Sequence, residues 1–129
     1  MNLDLWGKNK RSPGKGLSRP KYCIAVNHGS SSGATPGAGI NKMLPIAISW
    51  GVDFMISGHT HKPAIGTGVR LEPDTQKGIL VPREVKVMVA TSWLDYGGYA
   101  MVRPYQPSGI FPNYAVLSSD RKHIRVIQD

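Results

Sequence analysis

Apolar and polar positions change rhythm twice along the chain. "KYCIAV" (Lys21–Val26) is a short, nearly continuous apolar run, the pattern of a buried strand. Further on, Ile40, Met43, Leu44, Ala47 and Ile48 fall on one face at helical spacing. Thr35-Pro36 has the form of an N-cap followed by proline at the first helical position, and Gly51 marks the stop. Pro45 lacks an amide proton and predicts a kink or break inside that helix. "VDFMIS" (Val52–Ser57) is a second buried strand. Strand, helix and strand in that order predict a βαβ unit with a right-handed crossover.

From Ala64 the texture becomes short, β-prone and often alternating: "IGTGVRLE", "GILVP", "VKVMVATSW", "GYAMVRP", "NYAVLSS" and "HIRVIQ". In "EVKVMVA", Val85, Val87 and Val89 share one face, and Lys86, Met88 and Ala90 share the other. "PDTQKG" and "SSDRK" supply turn chemistry between neighbouring runs. This half is expected to form an antiparallel meander, so the fold class is α/β with a β-rich C-terminal part.

Composition narrows the picture. At 129 residues the chain suits one modest domain, and 15 glycines with 10 prolines favour strands and loops over long helices. No run of about 18 apolar residues occurs, so no membrane span is expected. The basic N-terminus is not followed by an apolar stretch, which argues against a secretory signal, and a cytoplasmic setting is the expectation. Cys23 is the single cysteine and excludes an internal disulfide or a cysteine-based zinc site. Charge is uneven. Lys8, Lys10, Arg11, Lys15, Arg19 and Lys21 stand against Asp4 alone, giving residues 1–21 a net +5 of the chain's +8. With proline and glycine between those cations and no helical period, residues 1–20 are expected to be a basic flexible segment ahead of a domain at 21–129. Such a segment suits phosphates or nucleic acid, although a solvated loop is the simpler reading.

The chemistry gathers on histidine. "SGHTHKP" places His59 and His61 in a turn entered through Gly58, at the carboxyl end of the second strand, where ligands collect in α/β sheets. His28 follows the other strand of the same βαβ unit, so three histidines are expected at one sheet edge. Neutral imidazole is the commonest protein ligand for zinc, iron and manganese. Taken singly, His28-Gly29 is most often just a turn. His123 reads as a surface residue, and Asp53, Asp95 and Asp120 read as turn or helix-end residues. The loop "NHGSSSGATPGAG" permits tight turns but does not match G-x-x-x-x-G-K-[ST], so no nucleotide P-loop is expected.

On these residues the chain resembles the calcineurin-like metallophosphoesterases over roughly residues 21–129. "SGHTHKP" after an apolar strand is similar to that family's closing G-H-x-H signature, and "VNHGSSSG" is similar to its preceding His-Gly motif. The resemblance implies a four-layer α/β/β/α sandwich, of which this chain corresponds to the β-rich C-terminal half. It also implies two divalent transition-metal ions in the complete site (Mn, Fe, Zn or Ni) and a phosphate-ester substrate, nucleic acid among the candidates. His28 and His59 match ligands of one metal, and His61 matches a ligand of the other. Asn27-His28 is not assigned to the family's G-N-H-[DE], because Val26 and Gly29 stand where glycine and an acid belong.

The departure is large. D-x-H, G-D-x-x-D and G-N-H-[DE] are absent, and with them the bridging aspartate and the assisting histidine. No catalytic residue is therefore assigned in this chain, and the substrate contacts are unknown. The expectation is a C-terminal portion of a phosphoesterase, inactive alone, whose N-terminal half comes from upstream sequence or a separate chain, unless the chain is a degenerate remnant. Two other readings stay open. One is a mononuclear zinc protein with His28, His59 and His61 as its three ligands. The other is a basic nucleic-acid-binding module.

Overall fold

The computed structural model describes residues 2–4 (by backbone alone), 19–29, 35–59, 62–91 and 112–128. Seven strands and one helix appear there: β1 (Asn2–Asp4), β2 (Lys21–Asn27), α1 (Pro36–Trp50), β3 (Phe54–Ser57), β4 (Ala64–Asp74), β5 (Ile79–Val89), β6 (Asn113–Leu117) and β7 (Ile124–Gln128). Five strands form one sheet in the order β1-β2-β3-β5-β4, and β6 and β7 form a separate two-stranded sheet.

The βαβ unit is present. β2 and β3 pair in parallel, Ile24 opposite Phe54 and Asn27 opposite Ser57, with α1 between them in sequence. Gly51 ends α1 in the left-handed conformation, as its lack of a Cβ allows. Thr35 has the extended backbone of an N-cap but makes no side-chain capping bond. Pro45 does not break the helix, since α1 is continuous through it. Its ring sits on the exposed face, and the helix is held from the other side by buried Met43 and Ala47.

The meander is corrected as well. β4 and β5 form a hairpin from Ala64–Val89 to Asp74–Ile79, yet β5 then pairs in parallel with β3 and inserts between β3 and β4. β6 and β7 form a second hairpin. "GYAMVRP" lies outside the described residues, as do most of residues 1–20; of that segment, Asn2–Asp4 pair antiparallel with Lys21–Cys23.

Strand alternation sorts the core into two clusters, one on each face of the large sheet. Met55, Val85 and Val87 pack on one face with Met43, Ala47 and Val52 from α1 and its end. Tyr22, Ile24, Phe54 and Met88 pack on the other with Ile124 of β7. The layers therefore run helix, sheet, hairpin. Gly66 lets α1 lie close to β4, since a Cβ there would fall well inside contact distance of Ile40 Cγ2. That methyl belongs to a β-branched side chain, which has little rotamer freedom in a helix.

Two buried polar groups lock the end of the sheet where β2 and β3 begin. The Tyr22 hydroxyl accepts the His123 amide at 3.0 Å and lies 2.7 Å from the Ser118 carbonyl and 2.9 Å from that of Arg121. Asp53, 3% exposed, accepts the Cys23 amide at 2.8 Å and pairs with Lys122 at 2.9 Å and Arg70 at 3.3 Å. A buried carboxylate needs such partners to remain charged. Asp53 does lie in the turn after α1, but it joins three elements rather than merely closing a helix. Among the described residues, no helix is long and apolar enough to cross a membrane.

Candidate metal centre

The opposite, carboxyl edge of the sheet carries the histidines. His28 follows β2 and His59 follows β3, and the parallel register of those strands delivers both loops to the same place. His59 Nδ1 lies 2.9 Å from His28 Nε2, with ring centroids 4.8 Å apart and the planes at 69°. Both rings are exposed. The contact needs one N–H and one lone pair, so the two facing nitrogens hold a single proton between them. A cation can replace that proton.

Separation is the first test of fit. Two imidazole nitrogens on one tetrahedral zinc, each at 2.0–2.1 Å, stand roughly 3.3 Å apart. The observed gap must therefore open by only about 0.4 Å. By separation alone, the two nitrogens are compatible with one shared ion.

Backbone geometry holds the pair. His59 has φ 72°, the single positive value at a non-glycine among the described residues, in a region that costs ordinary residues about 1–2 kcal/mol. Gly29, at φ 80°, lies against the other loop. A Cβ on it would come within 2.7 Å of both the Gly58 carbonyl oxygen and Ser57 Oγ. The two loops approach this closely because residue 29 has no side chain.

Two further polar groups belong to this edge. Asn27, beside His28, directs its amide nitrogen at Met43 and Met55 sulfur, both weak acceptors, and its buried carboxamide oxygen has no partner among the described residues. Asn113 donates to the Val89 carbonyl at 2.9 Å, and its oxygen is likewise buried without a described partner. Asn27 is visible in the sequence only as the neighbour of a histidine. Nothing local marks Asn113, which reaches the edge through the packing of the second hairpin.

His61 lies outside the described residues, as does Asp95. His123 is exposed in the β6–β7 turn at the other end of the sheet, and Asp120 is exposed beside it. Among the described residues, no group of three histidine, cysteine or acidic side chains is arranged to hold a metal ion. The described part of this edge thus brings together two of the three histidines. No protein-family model, curated protein or solved structure matches this chain.

Proposed function

We propose that this chain is the C-terminal portion of a metal-dependent phosphoesterase and that His28 and His59 together hold one of its divalent transition-metal ions. The observation that carries this reading is the 2.9 Å approach of His28 Nε2 and His59 Nδ1, from loops that follow neighbouring parallel strands. It supports the pairing that the resemblance implies, with both residues on the same ion. The helix, sheet and hairpin layers support a place in a four-layer α/β/β/α sandwich, with the remaining layer supplied by sequence beyond these residues or by another chain.

When bound, such an ion polarises a phosphoryl oxygen and lowers the pKa of coordinated water. The chain's own contribution is positional. His28 and His59 offer lone pairs at a fixed spacing, Gly29 and Gly58 keep their loops in contact, and buried Ser57 anchors the end of β3 through its carbonyl to the Ala90 amide at 2.7 Å. No described residue is placed to bridge two cations or to protonate a leaving group. The chain alone is therefore expected to bind metal and hydrolyse little.

Calorimetric titration with zinc and with manganese tests the reading. We expect binding that His28→Ala and His59→Ala each weaken at least tenfold, and orthophosphate binding that appears only on metal loading. Metal affinity indifferent to both substitutions would refute the shared ion. Rapid cleavage of an aryl phosphate by the metal-loaded chain would refute the claim that it is incomplete. A mononuclear site that includes His61 is the second reading, favoured by the ability of His28 and His59 to share one ion. It predicts one ion per chain and a further loss with His61→Ala.

A further inference from the structure

The outer face of the β6–β7 hairpin has no role in the metal centre. Ala115, Leu117, Ile124 and Val126 turn inward to the core. Alternation therefore sends Tyr114, Val116, Arg125 and Ile127 outward, with Tyr114 opposite Ile127 and Val116 opposite Arg125. Tyr114 is 47% exposed, in a structure whose other described tyrosine is fully buried. Arg121, Lys122 and His123 are exposed in the turn that the Tyr22 hydroxyl fixes. Among the described residues, neither Arg121 nor Arg125 has a carboxylate within ion-pair distance.

The same turn forms one wall of a cleft of about 220 Å³, which Arg83 and Lys86 of β5 also line. Its carboxylates are already engaged, Asp53 by Lys122 and Arg70, and Glu84 by Lys86. The cleft's own cations are thereby paired, Lys122 with Asp53, Lys86 with Glu84 and Arg83 with Glu72, so the cations an anion meets without an ion-pair partner among the described residues are Arg121, beside exposed Asp120, and Arg125. Tyr114 stands three residues from the end of β6, about 10 Å along the strand from the turn. An aromatic face next to a run of cations at that spacing suits a strand of alternating bases and phosphates. A duplex is disfavoured, because the hairpin is packed by its inner face on the large sheet and does not project as a free ribbon into a groove.

We propose that this hairpin face binds single-stranded nucleic acid, with Tyr114 stacking on a base and Arg121 and Arg125 contacting phosphates. The site uses neither histidine: Arg121 lies towards the opposite end of the sheet, and Tyr114 and Arg125 stand on the hairpin's outer face. Binding of a labelled oligothymidylate to the full chain, followed by fluorescence anisotropy in EDTA across a salt series, tests it. Because the basic N-terminal segment is kept in every variant, its contribution is common to all.

Arg121→Glu with Arg125→Glu should weaken binding more than tenfold and reduce the salt slope by about 1.4, at about 0.7 for each lost phosphate contact on a single strand. Tyr114→Ala should weaken binding about tenfold with little change in slope, and Tyr114→Phe should retain it. Lys77→Glu, at the tip of the β4–β5 hairpin, and His28→Ala should change affinity less than twofold. Thermal melts establish that each variant is folded, and all the substituted side chains are exposed. The proposal is overturned if the double charge reversal behaves like Lys77→Glu, which would place binding on the N-terminal segment. It is equally overturned if Tyr114→Ala is neutral while heparin or anionic vesicles bind as well, or if the oligonucleotide does not bind at low salt.

Discussion

Gly29→Ala is the most informative single change at the histidine pair, because two separable costs fall on one position. The first is conformational. At φ 80° an alanine occupies the left-handed region, at about 1–2 kcal/mol. The second is steric. The new Cβ would stand 2.7 Å from the Gly58 carbonyl oxygen and from Ser57 Oγ, and the carbonyl is backbone that cannot rotate away. Overpacking of this kind costs about 1–3 kcal/mol. Gly51→Ala supplies the control, since its φ is 69° and a Cβ there meets nothing within 4 Å. Urea unfolding should give a loss of about 1–2 kcal/mol for Gly51→Ala and about 2–5 kcal/mol for Gly29→Ala. Relief of the clash pushes the loop of His28 from that of His59, so zinc affinity should fall in Gly29→Ala and remain in Gly51→Ala. Equal destabilisation by the two variants, or unchanged metal affinity in a folded Gly29→Ala protein, would refute the argument that contact between the loops sets the histidine spacing.

Further outcomes follow from the rest of the structure. Asp53→Ala strips the acceptor from the Cys23 amide and one of two carboxylates from Arg70, which keeps Glu72, and should cost about 1–3 kcal/mol in urea unfolding; Lys122→Ala, removing a side chain that is 38% exposed, should cost no more than about 1 kcal/mol. Tyr22→Phe deletes a buried hydroxyl that accepts the His123 amide, and should lower stability by about 1–3 kcal/mol by the same assay. The Glu72 carboxyl is held below the usual range chiefly by its hydrogen bond to Arg70, against a smaller opposing effect of burial. Its contribution is fully present above the ordinary glutamate value of about 4.3 and is lost as pH falls through the depressed folded-state value. Glu72→Gln should flatten that acid-side decline, by no more than about 1 kcal/mol because the group is partly solvated. Leu71 and Leu80 are each 61% exposed on one side of the β4–β5 ribbon, and Leu71→Lys with Leu80→Glu should lower self-association in light scattering without lowering the melting temperature.

What the sequence made legible was local. A continuous apolar run, a helical stripe and a glycine stop suffice for β2, α1 and β3, because each is specified by neighbours a few residues apart. The turns at Asp74–Gly78 and Ser118–His123 were also readable. Asp74 accepts the Gln76 and Lys77 amides through its side chain, as turn-forming aspartates do. The convergence of His28 and His59 followed from those elements, since parallel strands of one βαβ unit end at one edge. Long-range choices were hidden. No local signal tells β5 to pair with β3 as well as β4, because its alternating valines suit a meander equally well. Asp53 looks like any acid after a helix, and its role depends on Arg70 and on Lys122 from a distant hairpin. Pro45 misled because its helix-breaking tendency is intrinsic, whereas the packing of Met43 and Ala47 that overrides it is tertiary.

The Tyr22 hydroxyl also sets a schedule. Its partners at Ser118, Arg121 and His123 lie 96, 99 and 101 residues downstream. At about 5–20 residues per second, translation leaves that ring waiting roughly 5–20 s for them. Throughout that interval the side of β2 and β3 destined for the hairpin is an open apolar surface, while the side destined for α1 can begin to close once β3 has emerged and is completed by Val85 and Val87 of β5. One half of the core can thus mature before the hairpin is made and the other only once it has followed. The interval between them is when a chaperone, or another copy of the chain, has its best access to Tyr22, Ile24 and Phe54.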